Sequence, residues 1–522
     1  MKFGDPTFRY RGWFINDEDL LNRFSPDPLQ ENPLSLAMLD RILETLLRLR
    51  GNMIIPGTFN FPDERAWELA TRRGLALHMH HILVVGLNTF RWPDDVPFSY
   101  LEHPEIMEDY WRACIQQFKG KEVVWTVGYR GKGDQAFWTD EPNVNTPEAR
   151  GGVISDAIAR QVELIREVDP EGMIVTNLWK EGVQLMRDGH LEIPEEVVGV
   201  WPDNGFGLVR DGGTVEKGQG VYYHTAMLNG GANQLTEMVT PSRIYRELGR
   251  FVRAEATEFY LLNLSDVRPV PLSSDCTMRF VWNAEPYLAR SDDENMDLFL
   301  ADWSHRQFEE DVADEVAAIY KRYFNLPHMD GDTWDTCRGD NHMHWKLRFI
   351  SRRASEERAM KEARDAEQFV KEYEPHVVKL LEDAEALAPR ISEKRASFYL
   401  AHVLTQIRIH LYSMRILGNY AAAKLYDDVE KAELALKGYD DLRAAMRPAE
   451  TDKWAAWYFG ECLVSIEANR GIVRKLVAEL KGEPIPTVRK FEGFPFIYQY
   501  QERFSDNFPF LYEQSKINAE RE

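Results

Sequence analysis

The sequence predicts an α/β fold, a (β/α)8 TIM barrel, followed by an all-α helical bundle. Eight short β-rich runs recur between Tyr10 and Val267, amphipathic stretches fill most of the intervals, and long helical patterns take over beyond them. Alternating strand and helix signals mark repeated βα units on a parallel sheet, and eight such units close a barrel.

The runs are Tyr10 to Ile15, Asn52 to Pro56, Leu75 to His80, Glu122 to Tyr129, Met173 to Leu178, Val197 to Trp201, Gly220 to Thr225 and Glu258 to Leu264. Leu34 to Leu49, Asp63 to Arg73, Glu105 to Phe118, Ser155 to Val168 and Ser242 to Ala256 place apolar residues on one helical face and read as the intervening helices. Asp203 to Gln219 is Gly-rich and too short for a crossover helix, so it reads as a loop at the site. Asp292 to Phe324 is helical and completes the outer layer, and Pro327 to Asn341 reads as a linker. Ser355 to Leu387, Ser392 to Asp427, Val429 to Met446 and Asp452 to Leu480, broken by Pro389 and Pro448, form the bundle. Val403, Ile407, His410, Met414 and Leu417 follow one seam of it, which makes His410 a core or interface residue. The expected organisation is a catalytic barrel over residues 1–335, a bundle over 336–482 and an aromatic tail over 483–522. In that tail, Phe491 to Tyr512 is apolar enough to pack back on the body.

A chain of 522 residues is long enough for two cores. No apolar run is long enough to cross a bilayer, so no membrane is expected as a partner. Met1 to Tyr10 is polar without an apolar signal region, which points to the cytoplasm. Cys114, Cys276, Cys337 and Cys462 are scattered without a C-x-x-C pair and read as reduced thiols. A formal charge of −22 repels nucleic acid, which is not expected as a partner. An anionic small substrate stays compatible, because salt screens the global field beyond roughly 10 Å and a few local Arg and His residues outweigh it. The amphipathic helices and the tail offer more apolar area than a small bundle buries alone, so a homodimer through the helical domain is expected.

Polar and aromatic residues gather at the C-terminal ends of the runs: Asn16-Asp17, Thr58, His80-His81, Arg130, Trp179-Lys180-Glu181, Trp201-Pro202-Asp203, Tyr223-His224 and Asp266. In a barrel these ends share one face, where sites are built. Carboxylates for acid–base work, aromatic planes for pyranose rings and an Arg or His for an acidic substituent are what a sugar site needs. Trp179 and Trp201 are candidate platforms, and Arg130 offers a fork to a uronate carboxylate. A rival reading takes His78, His80 and His81 as the H-x-H of a metal-dependent barrel hydrolase, although the run lies on the third strand with only His224 and Asp266 in reserve.

The order of motifs resembles glycoside hydrolase family 115. Arg11-Gly12-Trp13-Phe14-Ile15-Asn16-Asp17-Glu18 is followed by Leu47-Arg48-Leu49-Arg50-Gly51-Asn52 and His80-His81. Val127-Gly128-Tyr129-Arg130-Gly131-Lys132-Gly133-Asp134 is similar to the family's R-G-D-G-D segment, and Trp179-Lys180-Glu181-Gly182-Val183-Gln184 to its Y-K-E-V-Q. Trp201-Pro202-Asp203-Asn204-Gly205-Phe206-Gly207, Gly220-Val221-Tyr222-Tyr223-His224 and Asn263-Leu264-Ser265-Asp266-Val267-Arg268-Pro269 follow in the family's order. The resemblance covers nearly all of residues 8–325 and, more loosely, the helical domain. It implies a TIM barrel with a dimer-forming bundle, no metal or other cofactor, and removal of α-1,2-linked glucuronic acid or its 4-O-methyl ether from xylan-type chains with inversion.

Carried over by position, Glu181 and Asp134 are the implied catalytic pair, Glu181 as acid beside Trp179 and Trp201, Asp134 as base. Arg130 with His80 or His81 takes the sugar carboxylate, and Asp17, Asp203 and Tyr222 or Tyr223 take hydroxyls. Four family acidic positions are neutral here: Ile82, Gln135, Asn204 and the stretch Val270-Pro271. The chain also lacks room for the family's usual domain before the barrel and for a β-rich C-terminal module, which favours short acidic oligosaccharides over long polymers. A catalytically silent sugar-binding relative stays open beside the metal-dependent hydrolase.

Overall fold

The computed structural model describes residues 5–15, 20–23, 36–57, 64–89, 92–93, 95–132, 134–226, 235–326, 340–351, 355–455, 457–461 and 464–486. Its strands are β1 (Tyr10–Ile15), β2 (Met53–Ile55), β3 (Ala76–His78), β4 (Val123–Thr126), β5 (Ile174–Asn177), β6 (Val197–Pro202), β7 (Gly220–His224) and β8 (Phe259–Ser265). They pair in parallel, in sequence order, into a closed barrel, so all eight β-rich runs are strands. Closure comes from β8 against β1, with Tyr10 opposite Phe259 and Phe14 opposite Asn263, and the register shifts between Phe14 and Ile15.

Successive side chains point to opposite faces of the sheet. Phe14, Met53, Val124, Val175, Val200, Tyr222 and Phe259 fill the interior. Their neighbours Trp13, Ile54, Trp125, Trp201, Tyr223 and Tyr260 face the helical layer. Gly220 is where adjacent strands pass too closely for a side chain: a Cβ there would stand 2.7 Å from the Phe259 carbonyl oxygen.

Helices Leu36–Arg48, Glu64–Arg72, Pro104–Gln117, Pro147–Arg166 and Pro241–Arg253 occupy the intervals that the apolar periodicity assigns to them. The fourth begins earlier than its periodicity predicts, because Thr146 accepts a hydrogen bond from Ala149 N (3.2 Å) and Pro147 suits the first turn. Asp203 to Gln219 is a loop, joined across itself by one antiparallel bridge from Asp203 to Val209. After β8 runs a helix that amphipathicity does not reveal, Pro271–Trp282: Ser273, Ser274, Asp275 and Thr277 are as buried as Leu272 and Met278, so it has no polar face.

Asp292–Gln307 and Glu310–Phe324 cover the barrel, the first opened by a capping box of Ser291 and Glu294. The bundle comprises Asp340–Ser351, Glu356–Leu387, Glu393–Tyr399, Thr405–Tyr426, Val429–Met446 and Ile466–Lys481. Short 3-10 turns hold the two expected prolines, Pro389 and Pro448. Ser392 to Asp427 is helical from Glu393 to Tyr426 with a π turn at Leu400–Leu404, and one expectation is corrected: only Ile466–Lys481 of Asp452 to Leu480 is continuous helix. The seam residues Val403, Ile407, His410, Met414 and Leu417 are all buried. Most of the expected linker, all of Phe491 to Tyr512, Cys337 and Cys462 lie outside the described residues, and Cys114 and Cys276 are free thiols. Among the described residues no helix is long and apolar enough to cross a membrane.

Barrel and bundle are tied at Glu237. Its backbone N–H donates to Gln406 Oε1 (3.1 Å) and its carbonyl accepts from Tyr323 Oη (3.0 Å). Its carboxyl caps the helix Pro271–Trp282, accepting from Leu272 N (2.8 Å) and Ser273 Oγ (2.5 Å). Burial pushes this carboxyl up to about 7, against the pull of those donors. A folded-state value above the unfolded one means that the folded protein holds the proton more tightly. The contribution is therefore full below about pH 4.5 and is lost as pH rises through 7, by on the order of 3 kcal/mol. Urea denaturation of the parent and of Glu237→Gln from pH 4.5 to 8 should show the difference between them changing by that amount, and a constant difference would refute the assignment.

Candidate active site

Strands β3, β4 and β5 bring one cluster of charge to the C-terminal mouth of the barrel. Arg130 follows β4, and its guanidinium donates from Nε to Glu181 Oε1 (2.9 Å) and from Nη2 to Glu181 Oε2 (3.2 Å). Its Nη1 donates to Asp134 Oδ1. Lys180 Nζ reaches Asp134 Oδ2 (2.8 Å), and His81 Nε2 lies 3.1 Å from Asp134 Oδ1. Burial acts to raise the Asp134 carboxyl, but the His81 hydrogen bond and the Arg130 and Lys180 charges outweigh it and hold it well below the usual carboxylate range. Burial pushes His81 down to about 4, so its ring is neutral near pH 7 and offers one N–H to the carboxylate.

The backbone is strained where these groups are held. Asp134 at φ 63° and Lys180 at φ 47° occupy the left-handed region without being glycine, a cost of on the order of 1 kcal/mol each or more that the surrounding contacts sustain. The two side chains meet in the Lys180–Asp134 ion pair.

Beneath the charges lies an aromatic floor. Trp179 stacks against His81 (5.0 Å between centroids) and His224 (5.6 Å), and Tyr222 lies 5.7 Å from it. His80 packs between His81 (3.8 Å) and Phe14 (4.5 Å), and its Nδ1 accepts from Ile82 N (3.3 Å). Tyr222 Oη accepts from Asn263 Nδ2 (3.0 Å). Three buried polar groups here have no protein partner: Trp179 Nε1, His81 Nδ1 and both ends of the Asn177 carboxamide. Buried donors and acceptors left this way are costly, and their convergence at a barrel mouth is what a polar ligand would satisfy.

A second hub closes the far side. Asp203 is fully buried and accepts from Gly205 N (2.9 Å), Gly207 N (2.9 Å) and His224 N (3.0 Å), while His224 Nδ1 stands 2.5 Å from its Oδ1. Asn204 Oδ1 accepts from Phe206 N (2.9 Å) and Leu208 N (3.2 Å). Gly207 must be glycine, since its φ is +80° and a Cβ would meet Tyr223 Oη at 2.7 Å.

Of the residues singled out from sequence, His80, His81, Arg130, Asp134, Trp179, Glu181 and Tyr222 come together. Trp201 and Tyr223 do not, and their roles are corrected. Strand alternation turns both toward the helices, where Trp201 Nε1 donates to Gln219 Oε1 (2.8 Å) and Tyr223 Oη to the Gly207 carbonyl (3.0 Å). Trp179 is only 8% exposed, so it offers an N–H rather than an open platform. Asp203 spends its oxygens on the loop and on His224 rather than facing the mouth. Glu181 sits in the Arg130 fork instead of against Trp201, so the apolar surroundings expected for it are absent. Asp17 lies outside the described residues. His78 points into the barrel, bonded through Nδ1 to the Val124 carbonyl (2.8 Å), which removes it from the rival metal reading. Among the described residues no three His, Cys, Asp or Glu side chains are grouped to hold a metal ion. Sequence reasoning gave no role to Lys180 or Asn177; their one signal was a polar residue at the end of the fifth run.

The glycosyl hydrolase family 115 model matches residues 3–331. The chain belongs to this family. A solved family GH115 4-O-methyl-α-glucuronidase with specificity for decorated arabinogalactans shares the fold at a TM-score of 0.68 and 19% identity, over 93% of this chain. The chain spans 64% of that enzyme's length. A GH138 enzyme targeting pectin rhamnogalacturonan II aligns at a TM-score of 0.50 and 10% identity, over 96% of this chain and 68% of its own. No curated protein sequence matches the chain. The four departures from the family's acidic pattern have clear places: Ile82 and Val270 are buried, Gln135 is exposed, Asn204 shapes the loop, and Pro271 opens a helix.

Asp203→Ala would strand the N–H groups of Gly205, Gly207 and His224 in a buried loop. Urea denaturation should show a loss of at least about 3 kcal/mol. A loss under about 1 kcal/mol would mean that the carboxylate does not organise this side of the mouth.

Proposed function

We propose that this chain is an inverting, exo-acting glycoside hydrolase that removes (4-O-methyl)glucuronic acid or a related uronic acid from short oligosaccharides. The observation that carries the reading is the convergence of Arg130, Lys180 and His81 on Asp134, with Glu181 alongside, in a chain whose formal charge is −22. Arg130 and Lys180 offer an acidic sugar two cationic partners and His81 a neutral N–H, and two carboxylates on neighbouring strands suit its hydrolysis. Family membership and the glucuronidase activity of the solved neighbour support the same substrate class. Exposed Trp345, Tyr426 and Leu434 on the helical domain support self-association there.

In this mechanism the substrate carboxylate takes the planar Arg130 fork, which leaves Glu181 and Asp134. The opened gap admits a water, as an inverting pair roughly 6.5 to 9.5 Å apart requires. Asp134, kept ionised by His81 and Lys180, accepts a proton as the water oxygen bonds to the anomeric carbon. Glu181 gives a proton to the departing glycosidic oxygen as the carbon–oxygen bond breaks. Trp179 Nε1 and the Asn177 carboxamide, which have no protein partner, would take sugar hydroxyls.

Arg130→Lys replaces a bidentate fork by a point charge, and calorimetry should show uronate binding weakened by about 1.5 to 3 kcal/mol with neutral sugars unaffected. Unchanged uronate affinity would displace the carboxylate pocket. Glu181→Gln should slow release of uronic acid from natural oligosaccharides by at least about a hundredfold, and much less for a leaving group that needs no proton. Proton NMR of the parent reaction on an α-linked substrate should show the β-anomer first; α-anomer first, or full activity in both Glu181→Gln and Asp134→Asn, would overturn the mechanism.

A further inference from the structure

Where barrel and bundle meet, Leu235, Arg268, Pro269, His402, Gln406 and Trp457 line a cavity in which the centre of a water-sized particle has about 10 Å³ to move, room for one small particle. Arg268 is only 9% exposed. Its Nη2 donates to the Ala449 carbonyl (2.6 Å), and its guanidinium carbon lies 4.6 Å from the Trp454 ring centroid and 5.3 Å from that of Trp457. Its Nη1 has no hydrogen-bond partner, and Glu450 acts on the guanidinium only through its charge. A buried guanidinium is normally matched by a counter-charge, because indole faces repay only part of its lost hydration.

The rest of the wall also offers donors. The π turn Leu400–Leu404 places His402 here, and such turns recur where a helix serves a site. His402 Nδ1 is buried without a partner, and burial pushes the ring down to about 3, so it is neutral and can present Nδ1–H. Gln406 is fixed by backbone on both sides: its Oε1 takes Glu237 N (3.1 Å) and its Nε2 gives to the Pro269 carbonyl (3.0 Å). A water would accept from both donors but bring no charge, whereas an anion meets both N–H groups and adds negative charge beside the guanidinium. An anion needs donors and positive charge alone.

We propose that this cavity is a binding site for one halide-sized monovalent anion, held between Arg268 Nη1 and His402 Nδ1. The ion adds direct counter-charge at Arg268 to the more distant influence of Glu450, and so fastens the loop after β8 to the bundle. Chloride is the physiological ion of this class, and bromide is its visible substitute.

Crystals of the full chain soaked in sodium bromide should give an anomalous peak between those two nitrogens. In solution, the melting temperature should rise saturably by a few degrees with chloride or bromide, and not with sulfate at matched ionic strength. Arg268→Gln should abolish that halide-specific rise. If that variant does not fold, His402→Phe, which removes one donor and keeps the charge, should shift the halide midpoint several-fold higher. An ordered water in place of bromide, a bromide peak without a halide-specific melting shift, meaning binding at crystal concentration only, or a shift without the peak would each overturn the proposal.

Discussion

A strand's side chains alternate between two faces, and closing eight strands into a barrel makes that alternation binding for the whole molecule. Once β1 and β8 are in register, a one-residue slip anywhere would exchange lining for packing around the ring. Phe14, Val200 and Tyr222 are interior because Trp13, Trp201 and Tyr223 are not. The mouth inherits this parity: Tyr222 joins its floor, while Tyr223 buttresses the loop that carries Asp203.

On that scaffold the charged groups are bound to one another within the protein itself. A buried ion pair repays its desolvation only when geometry is good and every remaining bond is made. Arg130 meets the condition by giving three of its N–H groups to Glu181 and Asp134, and Asp203 meets it by accepting from the loop and from His224. The groups that fail it, Trp179 Nε1, His81 Nδ1 and the Asn177 carboxamide, mark where the protein's own structure stops satisfying its polar atoms.

The barrel was legible because β-rich runs and apolar periodicity are local signals, and each run from Tyr10 to Leu264 carries its own. Pro271–Trp282 was not, since a helix buried on every side has no period to detect. For the site, the motifs at the strand ends were enough to gather Arg130, Asp134, Glu181 and His81. Direction was harder to read: Trp201 and Tyr223 stand at strand ends in sequence, and only the register tells which way they face. Partnership was hidden too. Nothing in the spacing of Arg130 and Glu181 announces that one guanidinium holds both carboxylates, and Asp203 resembles a ligand-binding residue until its four bonds are seen.

The mouth is also balanced in charge: Arg130 and Lys180 stand against Asp134 and Glu181. A sugar carboxylate entering this partly dry space would leave it one negative charge in excess, and in a medium of low polarity the most direct remedy is a proton. Binding an acidic sugar would thus draw in from solvent a proton for the proposed acid Glu181, matched at the end of the reaction by the one that Asp134 takes from water, whereas a neutral sugar of the same shape would arrive without it. Discrimination between the two would then lie in proton uptake as well as in contact, and the substrate itself would arm the site that cuts it.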